Sequence, residues 1–156
     1  MQGALGDYQI TGGRTKVSRF LGFIAESYLF LGELEKATAV VTEAISHTTL
    51  YSERFWEAEL CRIQGEILLK QNESNQPVAE LWLQRAMDVA RSQQAKMLEL
   101  RAALGLSRLW QQQGQQGRAY RLLSEVYNSF TEGFSTPYLR LTRELTAQLR
   151  SEYTYR

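Results

Sequence analysis

The sequence has few of the residues that concentrate chemistry. With one cysteine, Cys61, no internal disulfide can form, which fits a reducing cytoplasm. With one histidine, His47, no multi-histidine metal site can form. Only two prolines are present and runs of β-branched residues are scarce, which argues against strands and for helices. No stretch approaches the roughly 18 apolar residues of a membrane-spanning helix. The start, MQGALGDYQITGG, lacks the basic-then-apolar layout of a secretory signal. Charge of one sign is also missing: 18 basic and 17 acidic residues leave a net +1. There are 7 basic and 10 acidic residues before Pro77, and 11 and 7 from it onward, so −3 is set against +4. That tilt is mild, whereas a nucleic-acid binder is more often strongly basic on one face. What is present, 156 residues with 44% hydrophobic and 22% charged, is enough for one domain with a core.

The most informative stretch is Ala25–Ala44, AESYLFLGELEKATAVVTEA. Ala25 and Tyr28 share one helical face, Gly32 breaks the helix, and Ala37, Val41 and Ala44 share a face of the next. Small residues at Ala25, Ala37 and Ala44 let two backbones approach closely. Such a hairpin cannot bury its own apolar face and needs neighbours of the same kind.

The rest of the chain supplies them. Gly3–Ile10 reads as the end of a helix stopped by Gly12 and Gly13, with its partner missing, so the chain is expected to be a piece of a longer array. The first hairpin spans about residues 16–47, with Phe20, Ile24, Ala25 and Tyr28, then Ala37, Val41, Ala44 and Ile45, facing inward. The second spans about 53–92, with Ser52 as N-cap, Asn72–Gln76 as loop and Pro77 in the first turn of its second helix. The third spans about 96–130, with its turn between Gly114 and Gly117. A capping helix follows over about 137–150, started by Thr136 and Pro137. Its stripe is Tyr138, Leu141, Leu145 and Leu149, and Ser151–Arg156 is expected to be loose.

The hairpins repeat. Ala25, Tyr28, Gly32, Ala37, Val41 and Ala44 are spaced as Ser107, Trp110, Gly114, Ala119, Leu123 and Val126 are: three, four, five, four and three. The middle hairpin supplies Gly65, Leu68, Ala79, Leu83 and Ala86, with a loop two residues longer and no turn glycine. Gly65 stands 40 residues after Ala25, and Ser107 stands 42 after Gly65. Fixed self-similarity of this kind marks a repeat array.

The spacing within the hairpins resembles the tetratricopeptide repeat, over about Ser18–Phe130. The period is longer than that family's roughly 34 residues, which implies longer helices or links. WEAELCRIQGEILL (Trp56–Leu69), AELWLQRAMDVARSQQAKMLELRAALGLSRLW (Ala79–Trp110) and SFTEGFSTPYL (Ser129–Leu139) resemble more closely the C-terminal repeat arm of bacterial multidomain regulators. Those carry a STAND-class ATPase joined to a nucleotide cyclase or a LuxR-like DNA-binding domain. The resemblance implies an all-α solenoid of about three hairpins, with a partial N-terminal helix and a C-terminal cap, about seven main helices in one domain over residues 1–156. It implies a sensor or scaffold arm. No Walker-type glycine-lysine loop or cyclase motif is present.

Several residues invite a chemical reading and receive a packing one. His47 sits near a helix end, where it suits the negative dipole end. Cys61 lies inward beside Ala58 and Gly65, as a small apolar residue. The glycines of QQQGQQG (Gln111–Gly117) mark a turn, since no lysine-serine or lysine-threonine pair follows and no strand precedes. Ser107 lacks the second glycine of a nucleophile elbow. Trp110 takes a core position of the repeat, and Trp82 lies off the main stripe, where it packs between repeats. Glu33 with Glu35, and Glu57 with Glu59, stand two apart, so they do not face each other on a helix.

In the resembled family the first helix of each hairpin lines a concave groove. The positions that fall there include Arg19, Glu26 and Phe30 in the first hairpin, Glu59, Arg62, Glu66 and Lys70 in the second, and Arg101, Arg108 and Gln112 in the third. The groove is read either as a docking surface for a peptide, partner helix or neighbouring domain, or as a ladder of ion pairs such as Glu66 with Arg108. A carboxylate clamp like that of chaperone-tail binders is excluded, because Glu26 and Glu66 would repel a carboxylate. The leading expectation is a non-catalytic interaction scaffold without cofactor, metal or membrane contact. Its partner is a protein, a peptide or another domain of its own chain, and it self-associates through the open end of the solenoid. The alternatives are a small-molecule sensor using Phe30, Arg62 and Arg108, and a nucleic-acid-binding solenoid using the basic half.

Overall fold

The computed structural model describes residues 16–154. The partial helix expected over Gly3–Ile10 lies outside them. Seven α-helices follow in order: α1 (Val17–Leu31), α2 (Leu34–Tyr51), α3 (Glu57–Gln71), α4 (Gln76–Ser92), α5 (Lys96–Gln112), α6 (Gln116–Asn128) and α7 (Pro137–Thr154). Each packs on its neighbour in sequence, giving the hairpins α1/α2, α3/α4 and α5/α6 and the cap α7. The odd-numbered helices also touch one another in a row, α1 on α3, α3 on α5 and α5 on α7. This is the all-α hairpin array that the periodicity predicts.

The repeat residues do what their spacing demands. Ala25, Ala37, Val41, Ala44, Ala79, Leu83, Ala86, Ala103, Ala119 and Leu123 are fully buried. Gly65 and Gly105 let α3 and α5 close on Leu83: a Cβ at Gly65 would stand 2.9 Å from Leu83 Cγ, and one at Gly105 3.0 Å from Leu83 Cδ2. The glycine turns share one geometry. Gly32 and Gly114 take φ of 77° and 75°, and the next residue's N–H reaches back five positions, from Glu33 to Tyr28 O and from Gln115 to Trp110 O. A side chain at either position would be strained. Gln94 makes the same turn between hairpins without a glycine, with Ala95 N donating to Ala90 O.

The structure corrects several sequence-based boundaries. α2 runs four residues beyond His47, to Tyr51. Ser52 is not the N-cap of the second hairpin. It is the left-handed residue that ends α2, and a 3-10 turn at Arg54–Trp56 delays α3 to Glu57. Thr136 does not cap α7 with its hydroxyl, which is buried without a partner. α7 continues to Thr154, so Ser151–Thr154 is helical rather than loose. Glu152 is tied to Gln111 and Tyr153 lies against Gly117, which explains the extension. The buried stripe of α7 is Leu139, Thr142, Leu145 and Leu149, while Tyr138 is exposed. In α1 the inward set is Val17, Ser18, Leu21, Gly22, Ala25 and Leu29. Ile24 and Tyr28 are half-buried, and Phe20 is 53% exposed.

Candidate interaction surface

The row of odd helices carries all ten groove residues named from sequence, and it turns five of them on one another. On α3, Glu59, Arg62 and Glu66 stand three and four apart, so they share a face. Arg62 Nη2 donates to Glu59 Oε1 at 2.7 Å and Nη1 to Glu66 Oε1 at 2.6 Å. The same Nη2 reaches Glu26 Oε1 of α1 at 2.5 Å. Arg101 of α5 contacts the same two oxygens, Glu26 Oε1 through Nη2 and Glu59 Oε1 through Nη1, both at 2.6 Å. Two guanidiniums therefore bridge two carboxylates across three helices. The Arg101 guanidinium lies 4.9 Å from the ring centroid of Tyr138, which carries the network to α7.

Glu59 and Arg62 are almost wholly buried, whereas Glu26 and Glu66 keep partial access to solvent. Burial opposes the charge on Arg62, but Glu59, Glu66 and Glu26 outweigh it and hold the guanidinium protonated more firmly than usual. Three carboxylates against two guanidiniums leave the cluster one negative charge in excess.

The other groove residues are placed differently. Arg19 is exposed, and its guanidinium sits 5.4 Å from Phe23 and 5.3 Å from Trp56. Lys70 Nζ donates to Leu29 O at 3.3 Å, at the carbonyl end of α1, where a cation is favoured. Phe30 is 88% exposed. Arg108 and Gln112 are exposed, and the Glu66–Arg108 pair does not form, because Glu66 is held by Arg62. The ladder is real, but it runs through Glu26, Glu59 and Arg101.

A second concavity was not legible in the sequence. A cleft of about 320 Å³ is bordered by Thr48 and Thr49 of α2, Arg54 of the 3-10 turn, Glu57 and Cys61 of α3, and Trp82 and Arg85 of α4. Glu57 accepts from Arg54 Nε at 3.0 Å and Arg85 Nη2 at 2.9 Å. Burial pushes its carboxyl up, but these two guanidiniums outweigh it and hold the group below the usual range. Arg85 lies 28 residues from Glu57, so no local spacing announces the pair. Burial pushes the Cys61 thiol up to about 11, so at neutral pH it is a protonated, poorly nucleophilic group. His47 Nδ1 approaches Glu53 Oε2 at 3.5 Å without a hydrogen bond. Trp110, named from sequence as core, is buried and donates from Nε1 to Glu80.

Among the described residues, no group of three or more His, Cys, Asp or Glu is placed to hold a metal, and no helix is long and apolar enough to cross a membrane. No protein-family model and no curated protein matches the chain.

Proposed function

We propose that this chain is a non-catalytic interaction scaffold, a tetratricopeptide-like arm offering a stiff helical surface to a protein or to another domain of its own polypeptide. The observation that carries this reading is the five-residue cluster. It joins α1, α3 and α5 through buried charge, and although Glu59 Oε2, Arg62 Nε and Arg101 Nε have no partner among the described residues, the charged groups are paired with one another rather than open to a substrate. A surface held in this way suits recognition with little rearrangement. The sequence resemblance to the repeat arms of bacterial regulators supports the same assignment, with a signalling or transcription regulator as the parent. A small-molecule role for Arg62 has less support, since three carboxylates already occupy its guanidinium. Phe30 and Arg108, with Arg19 and Gln112, are exposed groove positions outside the cluster and open to a partner.

The test is site-specific photo-crosslinking. A benzophenone amino acid replaces Arg108 or Phe30 in the native host, and adducts are identified by mass spectrometry. The expected result is one dominant polypeptide adduct at both positions, from another protein or from the parent chain. Adducts to nucleic acid, or none beyond those seen with the probe at the distant Glu43, would defeat the reading.

A further inference from the structure

The cleft beside Glu57 shares no residue with the groove positions and has a chemistry of its own. One side of its lining is apolar: Ile45 of α2, Leu60 and Cys61 of α3, and the half-buried Trp82 of α4. The other side is charged. Glu57 is the only acid among the described residues that line the cleft, and its side chain is 10% exposed. It meets two guanidiniums, Arg54 from the 3-10 turn and Arg85 from α4. Each arginine spends one of its five N–H donors on Glu57, Arg54 from Nε and Arg85 from Nη2. Neither guanidinium donates elsewhere among the described residues. The Arg54 and Arg85 side chains are 74% and 57% exposed, so they stand at the mouth of the cleft. Two positive charges against one negative leave that mouth with one positive charge in excess.

The geometry points to this cleft as a binding site for a small monocarboxylic acid with an apolar body, its carboxylate on Arg54 and Arg85 and its body against Ile45, Leu60 and Trp82. A carboxylate takes parallel N–H bonds from a guanidinium, a pairing to which the planar arginine fork is matched. One negative charge neutralises the excess at the mouth, whereas a phosphate dianion overshoots it and leaves the apolar side uncovered. The volume of about 320 Å³ lies at the small end of the range of about 300–1,000 Å³ that ligand pockets span, and the mixture of apolar lining with a few convergent polar groups is also theirs. Glu57 acts as a positioning residue. Its two oxygens hold the two guanidiniums side by side, within reach of one anion, so less side-chain order has to be imposed when the acid binds. The inference goes beyond the scaffold reading and does not depend on it.

The probe is a benzoate carrying a trifluoromethyl-diazirine group. Its fluorine NMR signal, followed in the dark as the full chain is titrated, reports affinity, and mass spectrometry after illumination reports where it attaches. Saturable binding is expected, with attachment to the peptides that contain Ile45, Leu60 or Trp82. Arg54→Gln and Arg85→Gln should each weaken binding at least about tenfold, the loss of one charge-assisted contact. Glu132→Gln, which alters an exposed acid outside the cleft, should leave it unchanged. Thr49→Phe fills the cleft from α2 with both arginines intact and should abolish binding. It covers the case in which an arginine variant unfolds, with circular dichroism and urea midpoint as folding controls. Absence of saturable binding up to about 10 mM probe overturns the proposal. So does binding of the matching carboxamide as tightly as the acid, which would remove the arginines from recognition. Displacement of the probe by an equal concentration of inorganic phosphate would show a general anion site and overturns it too, as does labelling confined to peptides that do not line the cleft. None of these outcomes bears on the crosslinking at Phe30 and Arg108, which tests the scaffold reading through other residues.

Discussion

Replacing Arg62 by methionine removes the donor at the centre of the buried cluster while keeping similar bulk. Glu59 is 2% exposed, and after the change it and Glu26 share the single guanidinium of Arg101, with Glu66 left unpaired. Removing one partner of a buried pair typically costs about 3–5 kcal/mol, because the remaining charge is stranded. Arg62 holds three carboxylates, but Glu26 and Glu66 are about one-third exposed and can recover hydration. The loss is therefore placed within that range and not at three times it. Against a domain stability of about 5–15 kcal/mol, this is a large and measurable fraction. The assay is urea denaturation followed by far-UV circular dichroism, with slopes compared to confirm that the unfolding unit is unchanged. The double variant E59L/R62M removes both buried charges and is expected to recover most of the loss, since apolar replacement of a buried pair is often neutral or better. The deficit of Arg62→Met should also persist in about 1 M salt, which screens exposed charges far more than buried ones. A deficit under about 1 kcal/mol, the range of an exposed pair, would refute the reasoning. A double variant worse than the sum of the two singles would refute it equally.

Further outcomes follow from other parts of the structure. Gly65→Ala should lower stability by about 1–3 kcal/mol by overpacking, because the new Cβ meets Leu83 Cγ and the Ala79 carbonyl; an unchanged urea midpoint contradicts this. Leu83→Ala should cost about 2–5 kcal/mol, as this side chain fills the space beside both Gly65 and Gly105, and thermal melts report it. The Glu57 carboxyl titrates below the usual range in the folded chain, so its pairing stabilises at neutral pH and is lost as pH falls through that lowered value. Glu57→Gln should therefore flatten the acid limb of stability against pH. The effect should be about 1 kcal/mol or less, because Arg54 and Arg85 are mostly exposed, and a limb as steep as that of wild type contradicts it. Cys61 should alkylate with iodoacetamide far more slowly than a peptide cysteine at neutral pH, with a rate that follows unfolding; peptide-like reactivity measured by intact mass would show the thiol to be accessible.

The array was legible because its signal is local. Ala25, Ala37, Val41 and Ala44 repeat at helical spacing, glycines punctuate the turns, and each feature depends on residues a turn or two apart. Small residues at such spacings force close helix pairs whatever surrounds them. The Glu59–Arg62–Glu66 spacing was equally readable as one face of a helix. Which charge that face would meet was not, since Glu26 lies 36 residues from Arg62 and Arg101 lies 75 from Glu26. Helix ends also escaped sequence reasoning. Ser52 and Gln94 take a left-handed turn without glycine, and α7 runs on because Glu152 and Tyr153 find partners on α5 and at the start of α6. Phe20 shows the division best. Its hydrophobicity marks it for burial, and the sequence alone places it inside. Whether an apolar face is core or surface depends on whether another helix lies against it, and only the tertiary arrangement decides that.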